Sequence, residues 1–239
     1  MRGKRPIVKR SEINTIMEQS KAFLESMRFL LPPFAFWSPE IWRKKGPECR
    51  EIVDNQLGWD ITDFGGGDFR RTGLFLFTVR NGTLEDLRKQ NGKVYAEKIL
   101  IVQDGQVTPT HFHFQKMEDI INRGGGDLVI QLWNSTPEEQ LASSEIVVSV
   151  DGVRTSVEAG GTIVLTPGMS VCLPQRLYHS FWGSAGTGTV LVGEVSRVND
   201  DQIDNRFFEP VGRFPAIEED APPLHLLYND YRRYYGPAQ

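Results

Sequence analysis

The chain has 239 residues, a length that suits one or two domains and a sizeable buried core. Its 27 Lys and Arg against 31 Asp and Glu leave a net charge of −4, which excludes a protein that works by wholesale attraction to nucleic acid or anionic membranes. A hydrophobic content of 39% with 24% charged residues excludes disorder, and two lone cysteines, Cys49 and Cys172, exclude a disulfide-dense scaffold or a Cys-x-x-Cys site.

Residues 1–10 read as a short, mobile basic arm with no apolar stretch behind it, so no signal peptide is expected. The longest apolar runs, such as Ile99–Val102, fall far below the ~20 residues of a membrane span. With two isolated cysteines, the chain reads as cytoplasmic. Ser11 offers an N-cap, and Ile13, Ile16, Met17, Phe23, Leu24 and Met27 recur at helical spacing, with Pro32 and Pro33 expected to end the helix. Ser38-Pro39-Glu40 predicts a second helix start, running to about Lys45.

Leu74–Val79 reads as a strand and Leu84–Lys89 as a short helix. Strand-length segments then follow: Val94–Val102, Gln106–Phe114, Met117–Asn122, Leu128–Trp133, Ile146–Val150, Val153–Val157, Thr162–Leu165, Ser170–Leu173, His179–Trp182 and Thr189–Val195. Asp151-Gly152 between two of them is a strong hairpin signal, because both residues readily take positive φ. The glycines at 124–126 read as a turn. They lack the Lys-Ser/Thr and helix of a phosphate-binding loop. About ten short strands with no long helix between them imply a mainly β sandwich or barrel. We expect a single domain over 11–239: a helical extension (about 11–60), a barrel core (about 74–196) and a wrapping tail (about 199–239) with a short helix near Leu224–Tyr231.

The four histidines carry most of the chemical information. His111 and His113 stand two apart on an expected strand, so both rings project from one face. Glu118, beyond an expected turn, can bring a carboxylate to the same point, and His179 can add a fourth ligand. Imidazole and carboxylate together suit Mn²⁺, Fe²⁺, Zn²⁺, Co²⁺ or Ni²⁺. His225 falls in the tail and reads as structural or as a dimer contact.

The spacing G-x5-H-x-H-x4-E-x6-G over Gly105, His111, His113, Glu118 and Gly125 resembles the first cupin motif without a gap. Gly168, Pro174, Arg176 and His179 resemble the second, with Arg176 where glycine is usual. The resemblance implies a cupin-type β-barrel (jelly roll) with a metal in its mouth. Longer strings resemble the D-lyxose isomerase family: LPPFAFWSP at Leu31–Pro39, LGWDITDFG at Leu57–Gly65, HFHFQKMEDIINRGG at His111–Gly125, LYHSFW at Leu177–Trp182, GEVSRVNDD at Gly193–Asp201 and DNRFFEPVGRF at Asp204–Phe214. This second resemblance implies aldose–ketose isomerisation of D-lyxose to D-xylulose, often with D-mannose to D-fructose. It also implies a divalent cation such as Mn²⁺ on His111, His113, Glu118 and His179, and a small homodimer.

Such chemistry moves a proton between C1 and C2 and stabilises an enediolate, so a base and positive charge are needed at the sugar. Lys116, between His113 and Glu118, could stabilise the enediolate or shuttle a proton. Glu194, on an apolar strand, would be a buried carboxylate suited to a general base, with Glu118 itself an alternative. Lys98 and Arg206 are candidates for sugar contact, Arg206 alternatively for a tail-anchoring salt bridge. Trp37, Trp59, Phe114 and Trp182 are candidates for apolar walls. Two other functions fit the same ligands: a cupin oxygenase using Fe²⁺, and a non-catalytic sugar-binding cupin.

Overall fold

Strict alternation of side chains along the strands decides the architecture. On one strand Lys98, Leu100 and Val102 face the interior of the barrel, while Ile99 and Ile101 face the opposite way. A strand that is apolar on both faces needs a second layer outside the barrel, and the N-terminal helix supplies it. The structure, a computed structural model, describes residues 8–212 and 217–236.

The chain opens with β1 (Val8–Lys9) and α1 (Arg10–Ser26), then α2 (Pro39–Trp42) and α3 (Arg50–Asp54). Next come β2 (Gly58–Thr62), β3 (Leu74–Arg80), α4 (Leu84–Lys89), β4 (Tyr95–Val102), β5 (Val107–His113) and β6 (Glu118–Gly125). The barrel continues through β7 (Leu128–Asn134), β8 (Ile146–Val150), β9 (Val153–Val157), β10 (Thr162–Leu165), β11 (Ser170–Leu173), β12 (Leu177–Gly183) and β13 (Val190–Arg197). The tail holds β14 (Asn205–Phe207), β15 (Ile217–Glu218) and α5 (Tyr231–Tyr234). An eight-stranded sheet, β2-β3-β4-β13-β6-β11-β8-β9, faces a five-stranded sheet, β10-β7-β12-β5-β14, with antiparallel ladders throughout both. This is the cupin-type barrel that the sequence implies. Its core holds Leu100, Val102, Ile120, Ile130, Leu132 and Val192 among others.

Helix α1 lays Ile13, Met17 and Leu24 on the outer face of the larger sheet, against Phe75, Phe77, Ile99 and Ile101. Each such side chain, fully buried, contributes about 1.5–3 kcal/mol. Ser11 is not the N-cap. The N-cap is Lys9, two residues earlier, and the Ser11 amide and hydroxyl donate to the Asp220 carboxylate at 3.0 and 2.7 Å, so the tail caps the helix. Nor do the prolines end it. Arg28 adopts φ +55, and the Arg28 and Phe29 amides donate back to Glu25 O and Leu24 O, closing the helix at Ser26 with a Schellman-type turn.

Of the expected basic arm, residues 1–7 lie outside the described residues, and Val8–Lys9 pair in parallel with Ile217–Glu218. The Arg10 guanidinium, 1% exposed, grips Glu219 from Nε and Nη2 at 2.9 Å each, and Asp230 from Nη1 and Nη2 at 3.0 Å each. The start of α1 and the tail are thereby tied together on the outside of the barrel. The Asp151-Gly152 hairpin joins β8 and β9 with φ of +49 and +82, as expected of a tight primed turn. The glycines at 124–126 correct the expected turn: Gly124 and Gly125 belong to β6, opposite Leu191 and Val190, where the ladder slips. Gly125 has φ +91, and a Cβ there would collide with the Thr189 carbonyl oxygen, so a close strand approach demands glycine. The tail helix also lies later than expected, as a 3₁₀ turn at Tyr228–Asp230 leading into α5. No helix among the described residues is long and apolar enough to cross a membrane.

Candidate active site and metal centre

Two strands of the smaller sheet bring the histidines together. His111 and His113 share the inner face of β5, and His179 on β12 lies directly opposite His111 in the ladder. The three are buried, with ring centroids 4.2 Å apart for His111–His179, 5.1 Å for His111–His113 and 5.4 Å for His113–His179. Their candidate ligand atoms all lie within 4.8 Å of one another. The larger sheet supplies Glu118, the first residue of β6, so the site clamps the two layers together.

The hydrogen bonds fix which nitrogens are free. His111 Nδ1 donates to Pro109 O at 2.8 Å, His179 Nδ1 to Leu177 O at 3.0 Å, and His113 Nδ1 to Asn205 Oδ1 at 2.7 Å. Each Nε2 therefore carries a lone pair into the cluster. Glu118 Oε1 is buried without a hydrogen bond, 3.2 Å from His113 Nε2 and 3.3 Å from His179 Nε2. A carboxylate oxygen set against imidazole lone pairs is repulsive unless a cation lies between them, so these residues fit a divalent metal. Burial, reinforced by the neighbouring histidines, holds His111 well below the usual imidazole range, and burial pushes His179 down to about 4. Both are neutral, as ligation requires. Burial opposes ionisation of Glu118, but the Lys116 ammonium outweighs it and holds the carboxyl well below its ordinary range.

A chain of alternating charges runs from this cluster across the floor of the larger sheet. Lys116 Nζ contacts Glu118 Oε2 at 2.6 Å and Glu194 Oε1 at 2.9 Å. Lys98 Nζ lies 3.3 Å from the same Glu194 oxygen and 2.9 Å from Asp201 Oδ2. Strand pairing dictates the order, since Glu194 on β13 sits opposite Lys98 on β4, and β13 adjoins β6. Burial disfavours the Lys116 ammonium, yet Glu118, Glu194 and Asp201 raise its pKa far above the usual lysine value, so it stays protonated. Asp201 is held below its ordinary range: Lys98 and Lys116 overcome the cost of burial. Three carboxylates against two ammonium groups leave a net negative site for a cation to complete.

A cavity of about 600 Å³ opens over these groups. Lys98, His111, His113, Lys116, Glu118, His179 and Glu194, all singled out in the sequence, line it together. Three others do not. Trp59 points to the outer face of β2, 1% exposed, its Nε1 donating to Ala35 O at 2.7 Å, while its neighbours Asp60 and Thr62 face the cavity. Phe114 lies past the end of β5 and packs against Phe112, with the Arg176 guanidinium over its ring. Arg206 alternates with Asn205 and Phe207 on β14 and therefore points outward, where Nε donates to Glu139 at 2.7 Å. Nor do Trp37 and Trp182 line the cavity, whose aromatic walls include Phe64, Phe181 and Phe207. His225 stacks on Trp59, centroids 5.9 Å apart, away from the metal cluster.

Sequence reasoning missed Asp201, Asn205, Phe207 and the Tyr228–Arg232 stretch of the cavity wall. They lie in the polar tail, where no periodicity marks an inner face. The one usable signal is Asn205-Arg-Phe207, whose alternation matches a short strand.

A family model described as D-lyxose isomerase matches residues 8–231. The chain is 50% identical over 228 residues to a "D-lyxose/D-mannose isomerase" of Escherichia coli, covering 95% of this chain and 100% of the relative. It is 49% identical over 228 residues to one from Serratia proteamaculans, covering 95% of this chain and 99% of that protein. Among solved structures, L-ribose isomerases share the fold. One from Geodermatophilus obscurus matches with a TM-score of 0.57 at 16% identity, over 90% of this chain and 100% of that one. Another, from Acinetobacter sp. in complex with L-ribose, matches with a TM-score of 0.57 at 15% identity, over 90% and 99% respectively. By family model and by full-length identity, the chain belongs to the D-lyxose isomerase family.

Proposed function

We propose that the protein is a metal-dependent aldose–ketose isomerase that interconverts D-lyxose and D-xylulose, and also D-mannose and D-fructose. Identity of about half the residues over the whole length of two D-lyxose/D-mannose isomerases carries the reading. The two aldoses share their configuration at C2 and C3 and differ only at the far end, so one pocket can serve both.

His111, His113, Glu118 and His179 would hold the divalent cation. When bound, it supplies positive charge for the enediolate oxygens. Glu194 is the base that carries the proton between C1 and C2. All of its contacts fall on Oε1, from Lys116, Lys98 and the Ser196 hydroxyl at 3.0 Å, which leaves Oε2 free among the described residues to meet a C–H proton. Lys116 stays cationic and stabilises charge on the sugar oxygens by donating hydrogen bonds to them. Lys98, held by Asp201, orients Glu194 and offers a donor to a sugar hydroxyl. Phe181 and Phe207 exclude water beside the ligands.

Mn²⁺ is the cation in this reading, although the donors suit Fe²⁺, Co²⁺, Ni²⁺ and Zn²⁺ as well. A homodimer follows from the family resemblance. A cytoplasmic location fits two unpaired cysteines, Cys49 and Cys172. The test is a panel of free aldoses and ketoses given to metal-stripped protein with and without Mn²⁺. D-lyxose turnover that needs Mn²⁺ and consumes no oxygen supports the reading. Turnover unaffected by stripping, or oxygen uptake with a sugar, defeats it.

A further inference from the structure

The three histidines are not oriented alike. His111 and His179 each donate Nδ1–H to the backbone carbonyl two residues earlier in the same strand, Pro109 O and Leu177 O. Those acceptors come with the barrel. His113 alone depends on a side chain from elsewhere, Asn205 Oδ1 at 2.7 Å, across 92 residues of sequence. Asn205 sits on β14, a three-residue strand at the open edge of the smaller sheet. Phe207, two residues on and facing the same way, stacks its ring on His111 with centroids 5.2 Å apart and planes 28° apart.

The tail strand is stitched to the ligand strand and the turn after it. Asp204 accepts the Gln115 and Lys116 amides at 2.8 and 3.1 Å, the Phe114 amide donates to Asp204 O at 3.0 Å, and the Phe208 amide donates to Thr110 O at 2.9 Å. A short edge strand is the kind of element that opens locally at low cost. When it opens, His113 loses the acceptor that fixes its tautomer and ring plane, and His111 loses its packing partner.

We propose that β14 is a working part of the metal centre, with Asn205 a positioning residue for His113, so that docking of residues 204–208 and cation binding are thermodynamically coupled. The inference rests on the reading of the histidine–Glu118 cluster as a metal site. Coupling is reciprocal: a docked tail tightens the cation, and the bound cation holds the tail down by the same factor. Substitution of the partner of a metal-binding histidine typically costs 10–100-fold in affinity.

The test is Mn²⁺ titration of the metal-stripped full chain against a chromophoric chelator, in wild type, Asn205→Leu and Asn205→Asp. We expect Asn205→Leu to bind Mn²⁺ about 10–100-fold more weakly, and Asn205→Asp, which keeps an acceptor, to stay within a few-fold of wild type. A merely structural residue would not be rescued in this way. Hydrogen exchange of wild type, which needs no variant, should slow at residues 204–208 when Mn²⁺ is added. Wild type that binds Mn²⁺ while Asn205→Leu binds it equally well, or exchange at 204–208 that ignores Mn²⁺, overturns the coupling and leaves the metal site standing. Wild type that fails to bind Mn²⁺ overturns both.

Discussion

Lys116 donates to Glu194 Oε1 at 2.9 Å, and this one contact separates two roles that the sequence leaves open. An ammonium wedged between two buried carboxylates keeps its proton and cannot serve as the base. A carboxylate tied down through one oxygen presents the other to substrate. The expected consequence is that Glu194→Gln lowers kcat for D-lyxose by about 10²–10⁴, the usual worth of a positioned general base. Mn²⁺ content should be unchanged, since Glu194 is not a ligand. Steady-state rates with measured metal content check this, and a loss under tenfold would move the base to another residue.

Lys116→Met removes the cation shared by Glu118 and Glu194. Glu118 then loses its ammonium partner and Glu194 keeps only Lys98, which costs about 3–5 kcal/mol of stability. Catalysis should fall by about 10²–10³ through lost electrostatic stabilisation of the enediolate. The urea midpoint and kcat should therefore fall together. A variant as stable as wild type would mean that the charge chain is not buried as described.

The metal-stripped protein should lose stability on mild acidification. His179 titrates at about 4 in the folded chain against 6.5 ordinarily, and His111 is shifted in the same direction, both primarily by burial. The unfolded chain takes up these protons first as pH falls. The stabilising contribution is thus present above about 6.5 and is lost between there and about 4, at up to ~1.4 kcal/mol per pH unit for each histidine. The depressed pKa of Glu118 lies below this window and does not oppose the trend. Denaturation midpoints from pH 7 to 5 should decline in stripped protein. A flat profile would contradict neutral buried histidines.

Arg10→Met should destabilise the fold by about 1–3 kcal/mol, because Asp230 loses a buried guanidinium while the half-exposed Glu219 is rehydrated and keeps Arg233. Mn²⁺ affinity should hold, since Arg10 braces the outer side of the barrel and not β5 or β14. Thermal denaturation with a parallel Mn²⁺ titration separates the two effects.

Much of this was legible in the sequence, and the omissions have physical causes. Turn residues at short intervals mark out the strands from Leu74 to Arg197, even where a strand such as β4 is buried on both faces and shows no alternation. His111, His113, Glu118 and His179, which the fold brings together, are legible because ligation of a cation, as proposed, would impose both residue type and spacing. Lys98 and Glu194 are legible as charges stranded on apolar strands. Trp59 turns away from the cavity and Arg206 takes the salt bridge rather than the sugar contact, because chemistry alone does not reveal which face of a strand a residue takes, while Phe114 lies past the end of its strand. Trp59 differs from the cavity-facing Asp60 by a single step of the pleat. Asn205 and Asp201 escaped notice because the tail acquires its inner face only by docking on strands nearly a hundred residues earlier. The Schellman-type turn at Arg28 was hidden for another reason, since such a turn usually carries glycine.

The central claim is that Glu194, beside a cation held by His111, His113, Glu118 and His179, carries a proton between C1 and C2 of the sugar. Incubating D-lyxose with the protein in deuterated water and recovering both sugars for mass spectrometry tests it most directly. The account predicts D-xylulose formation with deuterium entering at C1 or C2 in Mn²⁺-loaded wild type, and neither in stripped protein nor in loaded Glu194→Gln. Deuterium exchange that persists in the Glu194→Gln variant, or conversion by stripped wild type, would contradict it.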